Sequence, residues 1–482
     1  MKQLNRTNTG IPKVLPLKVM QFGGGNFLRA FVDWMIQVLN EQTDFNGGVV
    51  IVKPTERGDY KTLKSQNGLF TVVLDGVKNG ELVAEKKVVN CVEKIVNPYS
   101  EWEDYLALAT NPDIRFITSN TTEAGIRFDS QDVFEDNPPK EFPAKLTIWL
   151  YQRFLHFKGD TTKGCILLPL ELIEQNGLVL KQMILNYIEH WQLSKAFKDW
   201  IEAANYFCST LVDRIVSGYP LDRVNEIQTS LGYSDQLMVA GEYYHSWVIQ
   251  GPALVQAELP SENTPLNISF VNDIAPYREM KVRILNGAHT AMVPVGYLAG
   301  IRFVNEAMDD PSISYFMETL LLEEIAQTLD FPDAVKFQFV ADVLDRFRNP
   351  LLKHQLISIS LNSSSKFVSR LLPSMRDYFK SEEKLPKRIV FGLSSLLLFY
   401  KGEFRGAQVD LKDDSDVLDF FNTEWTRYAK NEVDLLTLIN SLLSKSSIWG
   451  DDLSQLNGLP QMIAQNIITI QKDGVRHALK NL

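Results

Sequence analysis

Leu17 to Phe22 reads as a short apolar strand, and three glycines, Gly23, Gly24 and Gly25, follow it directly. Residues 27–41 then carry helical periodicity through Leu28, Phe31, Met35, Ile36 and Leu39, and residues 49–52 read as a second buried strand. Strand, glycine turn, helix and strand in this order open a nucleotide-binding unit. Glycine lets the backbone turn tightly and approach a pyrophosphate, and the first helical turn offers N–H groups and a partial positive charge. Leu28 stands where the usual fingerprint has its third glycine. The turn alone is therefore a weak signal, and its position at the first strand–helix junction strengthens it.

Further apolar strands are expected at 70–74, 114–118 and 165–170, with helices at 143–157 and 178–191. Strands alternating with helices argue a parallel sheet covered on both faces. The character changes near Pro276, after which long helical patterns dominate: 281–298, 311–329, 334–347, 366–378 and 388–400, with Pro373 placed to break the fourth. A chain of 482 residues is too long for one ordinary core. The expected fold is α/β: a Rossmann-type, doubly wound N-terminal domain over 1–270 and a mainly α-helical C-terminal domain over 271–482. The polar, Pro-rich segment 129–143 reads as a surface excursion.

Composition narrows the partners. The formal charge of -10 makes the chain a poor generic binder of nucleic acid or anionic membranes. An anionic small substrate would need a local basic site. Cys91, Cys165 and Cys208 are far apart and form no CxxC pair, so neither disulfides nor a thiolate zinc site is expected. Residues 1–10 are polar, and no apolar run approaches roughly 18 residues, so the cytoplasm is the expected compartment. Oligomeric state is not readable.

The tip of the second strand normally carries an acid for the ribose hydroxyls. Here it reads Val52-Lys53-Pro54-Thr55-Glu56-Arg57. Lys53 and Arg57 could face a 2′-phosphate or be solvated loop charges, so residue types leave NAD and NADP both open. The other chemistry-bearing run is Lys281-Val282-Arg283-Ile284-Leu285-Asn286-Gly287-Ala288-His289. On a regular helix Lys281, Asn286 and His289 lie within an arc of about 140°. Lysine can give and take a proton, asparagine can donate to a developing oxyanion, and histidine can bind a neighbouring hydroxyl. By itself such a run is better explained by a solvated lysine and an internally satisfied Asn/His pair. The six histidines include no pair at i+3 or i+4 and no HExxH, which disfavours metal, and no GxSxG elbow supports a serine nucleophile.

Lys281-x4-Asn286-x2-His289 resembles the signature of the polyol-specific long-chain dehydrogenases, the mannitol dehydrogenase family. Gly23-x-Gly25-x-Phe27-x-Arg29-Ala30 is similar to that family's cofactor loop, and Val212-Asp213-Arg214-Ile215 to another of its motifs. The match is closer to a branch acting on uronates. It runs through residues 21–34, Ser119-Asn120-Thr121-Thr122-Glu123-Ala124-Gly125-Ile126, residues 207–216, residues 284–291 and Arg346-Phe347-Arg348-Asn349-Pro350. The resemblance implies an NAD(H)-dependent, zinc-independent oxidoreductase whose active site lies between its domains. It implies Phe22, Gly23, Gly24, Gly25, Asn26, Phe27, Asn120 and Thr121 at the cofactor, Lys281 as general acid/base, Asn286 as oxyanion donor and His289 at the substrate. Mannitol dehydrogenases carry a second oxyanion asparagine where Ser209 stands. Arg348, His354 and Lys366 match a later segment near the substrate, and Arg214 and Arg370 are further cations for a carboxylate. The implied reaction is reversible reduction of D-tagaturonate to D-altronate in hexuronate breakdown. The rivals are another uronate or polyol of the same family, fructuronate or mannitol, and a nucleotide-sensing regulator with a dead site.

Overall fold

A computed structural model of the protein describes residues 1–12, 15–122 and 124–482. Glu123, in the block 119–126, lies outside the described residues. The chain forms two compact units: Met1–Asp75 with Val83–Ile274, and Gly76–Leu82 with Ala275–Leu482.

The first unit is built on six strands: β1 (Leu17–Phe22), β2 (Gly48–Val52), β3 (Val92–Val96), β4 (Phe116–Ser119), β5 (Ile166–Pro169) and β6 (Tyr206–Phe207). They lie in the order β3-β2-β1-β4-β5-β6, and every pairing is parallel. This is the strand order of a doubly wound dinucleotide fold. Side chains alternate across the sheet. Val19, Val49 and Ile51 therefore join Phe31 and Met35 in one core. Met20, Phe22, Val50 and Val52 join Trp149, Leu180 and Ile184 in the other. Helices Phe142–His156 and Asn176–His190 cover that second face.

The expected strand at 70–74 does not enter this sheet. Phe70–Lys78 instead joins a four-stranded sheet between Val239–Glu242 and Glu81–Val89. Its hairpin turns on Asn79 and Gly80, with φ of 53° and 78°. Two positive φ values in a two-residue loop are the mark of a type I′ turn, which matches the twist of the strands it joins. In the six-stranded sheet the place next to β2 is taken by β3, hidden from an apolar pattern by Glu93 and Lys94.

The second unit is helical around one continuous core. The pattern at 366–378 resolves into Ser363–Arg370 and Leu372–Glu382, with Pro373 in the first turn of the latter. There proline's missing N–H costs nothing. The pattern at 281–298 holds Ala275–Met280, a π-helical turn Lys281–Asn286, and Gly287–Leu298. Among the described residues no helix is long and apolar enough to cross a membrane.

Candidate active site

Strand order reverses between β1 and β4, so a crevice opens beyond their carboxyl ends, the usual place for a dinucleotide in such a sheet. Phe22 and Ser119, the last residues of the two strands, are register partners. The glycine turn leaves β1 here. Gly23 has φ 123°, and a Cβ on it would lie 2.8 Å from Leu28 Cδ1. A Cβ on Gly25 would meet nothing within 4 Å, so the backbone is open on that side. The helix beginning at Asn26 has no side-chain cap, leaving its first N–H groups for an anion. These features fit a bound pyrophosphate.

Several neighbours hold the turn. Arg29 donates to the Gly24 carbonyl at 3.1 Å and to Asn26 Oδ1 at 2.7 Å. The Gly24 N–H donates to the Tyr60 hydroxyl at 2.9 Å. Phe27 stacks on Phe31 at 5.0 Å. The ring of Phe22 is fully buried against Phe142, so only its backbone reaches the turn. Beyond β4, the Thr121 N–H and hydroxyl both donate to Glu171 Oε1 at 2.9 Å, and Ser119 Oγ donates to Oε2 at 3.1 Å. Burial pushes the Glu171 carboxyl up despite these donors. Sequence reasoning gave Glu171 no role. The available signal was a carboxylate two residues past the end of a buried parallel strand. Half-exposed Asn120 sits between these fixed neighbours, its N–H on the Phe22 carbonyl at 3.4 Å.

Two further expectations change with burial. Lys53 is 6% exposed; its ammonium donates to the Glu56 carbonyl at 2.7 Å and lies 5.7 Å from the Tyr99 ring. Arg57 is exposed. Arg214 was one candidate for a substrate carboxylate. Its buried guanidinium donates instead to the carbonyls of Ala30, Tyr243 and Tyr244 and lies 4.3 Å from the Trp34 ring. Spent on three carbonyls, Arg214 is a structural tie. Ser209 is buried and donates to Gln175 Oε1 at 3.2 Å.

Asp33, behind the turn, is fully buried. Gln21 Nε2 donates to its Oδ2 at 3.3 Å and to the Gly23 carbonyl at 3.1 Å. Asp33 Oδ1 and Gln21 Oε1 are buried without a hydrogen-bond partner, and a proton on Asp33 adds the donor this pair lacks. Burial pushes Asp33 up to about 7, against the hydrogen bond from Gln21 and the charge of Arg29. A carboxyl raised in the folded state contributes stability present below its unfolded value of 3.8 and lost as pH rises through about 7. Asp33→Asn, neutral at every pH, should melt higher than wild type at pH 8 by about 3 °C, on the order of 2 kcal/mol, with the gain vanishing towards pH 4. Thermal denaturation at the two pH values checks this; equal destabilisation at both would mean that Asp33 works as a carboxylate.

In the second unit the π turn decides the geometry. A π-helix closes its hydrogen bonds i→i+5, so residues five apart stack along its side. Lys281 and Asn286 are thereby drawn closer than the arc expected of a regular α-helix, and His289 follows three residues on. All three are half-exposed, whereas Ile284, Leu285 and Ala288 are buried in the core. The His289 ring lies 4.4 Å from Phe347 and 5.5 Å from His354. Burial holds His354 below its ordinary value and so favours neutral imidazole. Arg370 comes in from helix Ser363–Arg370 and donates to the Asn286 carbonyl at 3.5 Å and Thr290 Oγ1 at 3.3 Å. Lys366 donates to the Ile359 carbonyl at 2.9 Å, and burial, then neighbouring Arg370, lowers its pKa. Arg348, following Phe347, pairs with Asp345 at 3.6 Å. An amine, an amide and two imidazoles thus lie on and beside this turn, with the Arg370 guanidinium on the Asn286 carbonyl. Among the described residues, no group of three His, Cys, Asp or Glu side chains could hold a metal ion.

An uncapped glycine turn at the reversal of a 3-2-1-4-5-6 sheet, joined to a helical unit with this face, defines a class. Family models for the mannitol dehydrogenase Rossmann domain and the mannitol dehydrogenase C-terminal domain match residues 17–263 and 273–471. The chain belongs to the mannitol dehydrogenase family. More particularly, it is 46% identical over 465 residues to the altronate oxidoreductase of Yersinia enterocolitica, with 96% of each chain covered. It is 44% identical over 483 residues to that of Escherichia coli O6:K15:H31, with 100% of each covered. Its fold is that of D-sorbitol dehydrogenase in substrate-free form, at a TM-score of 0.78 and 21% identity over 99% of this chain and 100% of that one. Pseudomonas fluorescens mannitol 2-dehydrogenase, in a ternary complex with NAD and D-mannitol, follows at 0.64 and 20% over 100% and 99%.

Proposed function

We propose that the protein is a cytoplasmic, NAD(H)-dependent oxidoreductase that interconverts D-tagaturonate and D-altronate in hexuronate breakdown. The observation carrying this reading is the full-length similarity to altronate oxidoreductases. The Lys281, Asn286 and His289 face supplies groups suited to the chemistry.

Bound NAD(H) supplies or accepts the hydride. Gly23, Gly24, Gly25, Asn26 and Phe27 would hold it together with Asn120, while Thr121 keeps its own place on Glu171. In the reducing direction the Lys281 ammonium gives its proton to the ketone oxygen, and in the oxidising direction its amine takes that proton back. The Asn286 amide donates a hydrogen bond to the oxygen as negative charge develops there. His289, set between Phe347 and His354, binds a neighbouring hydroxyl. Arg348 and Lys366, with Arg370 beside Asn286, are the cations for the carboxylate.

Lys53 is turned onto the Glu56 carbonyl and gives a 2′-phosphate no welcome, which favours NADH. NADH and NADPH oxidation should be followed with D-tagaturonate, D-fructuronate and D-fructose. We expect tagaturonate with NADH to exceed every other combination by about tenfold or more in kcat/KM, the lower end of what a single changed pocket contact discriminates. Equal turnover of fructuronate or fructose would assign the chain to another member of the family. Higher efficiency with NADPH would make exposed Arg57 the phosphate ligand.

A further inference from the structure

The hairpin tip Gly76–Leu82 belongs to the second unit. There the Gly80 N–H donates to Asp345 Oδ2 at 3.3 Å. The other oxygen of the same carboxylate, Oδ1, pairs with Arg348 Nη1 at 3.6 Å. Asp345 and Arg348 are three residues apart at the end of helix Asp333–Phe347 and its cap, so their side chains share a face. The Asp345 side chain is 16% exposed and that of Arg348 38%. The pair is thus anchored at its acidic end and open at its basic end. Asp342, one turn earlier, is half-buried; burial first and Asp345 second raise its carboxyl, while Arg346 and Lys78 act the other way. The donor sits in a type I′ turn, whose two positive φ values set the direction of the Gly80 N–H relative to the hairpin.

We propose that Asp345 is a positioning residue for substrate recognition: clamped by the Gly80 N–H, its carboxylate orders the Arg348 guanidinium for the carboxylate of a sugar acid. This rests on the reading that Arg348 binds that group. An arginine at a helix end has many rotamers, and ordering it before the substrate arrives removes part of the cost of binding. Asp345 also repels an anion. The single contact at 3.6 Å leaves most guanidinium N–H groups for the incoming carboxylate, and the positioning role requires that ordering outweigh repulsion.

The test is a double-mutant cycle of Asp345→Ala and Arg348→Ala, measured as KM for D-tagaturonate with saturating NADH. Asp345→Ala should raise KM by about five- to tenfold with kcat within about twofold, and should raise it by less than about twofold further once Arg348 is alanine, as expected for coupled neighbours. Asp345→Asn keeps an acceptor for Gly80 and should raise KM less; it serves in the same cycle if the alanine variant does not fold. An unchanged or lowered KM in Asp345→Ala would overturn the proposal, as would an equal rise in both backgrounds. If Arg348→Ala itself left KM unchanged, the assignment of Arg348 would fall and the positioning role with it. An effect of Arg348→Ala without one of Asp345→Ala would sink the positioning role alone.

Discussion

Lys281→Ala is expected to lower kcat for tagaturonate reduction by about 100-fold or more, the usual cost of losing a general acid/base. NADH binding, followed by quenching of protein fluorescence, should change by less than about twofold, because the glycine turn and Asn120 lie on other elements. The argument is one of atoms. Hydride arriving at the ketone carbon leaves an alkoxide, and a positioned proton must meet it within the same event. Asn286 can stabilise that oxygen but has no proton to give up. Lys281→Arg keeps the charge and holds its proton too tightly to donate it, so it should remain impaired. Near-normal kcat in the alanine variant would remove Lys281 from the mechanism.

The second large effect concerns charge on the substrate. A chain with a formal charge of -10 does not attract a uronate from afar, so recognition depends on local cations. Arg348→Ala or Lys366→Ala leaves a carboxylate desolvated and poorly paired, at a cost of about 2–3 kcal/mol, which is roughly 30- to 150-fold in kcat/KM. The same substitutions should change the residual rate with fructose, which has no carboxylate, by less than about threefold. Lys366 already donates to the Ile359 carbonyl, so its share should be the smaller of the two. Equal loss for both sugars in both variants would mean that neither cation reads the carboxylate. Wild-type enzyme reducing fructose as efficiently as tagaturonate would replace the sugar-acid assignment with a polyol one.

The parts of the fold legible in the sequence are those decided locally. Leu17–Phe22, the three glycines and the helix after them are neighbours in the chain, and their apolar spacing is enough to find them. The order 3-2-1-4-5-6 is set by pairings between distant segments and leaves no trace in any one of them. β3 is hidden because Glu93 and Lys94 interrupt it, and the strand expected at 70–74 pairs in another sheet, although Asn79-Gly80 announces a hairpin. On the helix of the proposed site, the grouping of Lys281, Asn286 and His289 on one side follows from their spacing, but the π turn does not, since helical periodicity does not separate i+4 from i+5 bonding. Arg214 shows the opposite failure. A cation in a motif looks like a ligand until its three carbonyl partners are seen.

The hairpin tip that belongs with the helical unit makes the chain hard to dissect. The polypeptide passes from one unit to the other after Asp75, returns after Leu82 and leaves again after Ile274. A single cut between the halves therefore severs one of three crossings and sends the Gly80 N–H away with the nucleotide-binding fragment. The helical fragment would then be missing the donor that Asp345 uses. Evolution by swapping whole halves between relatives meets the same junction: a transplanted helical half keeps its donor to Asp345 only if the loop from the other parent carries a matching tip.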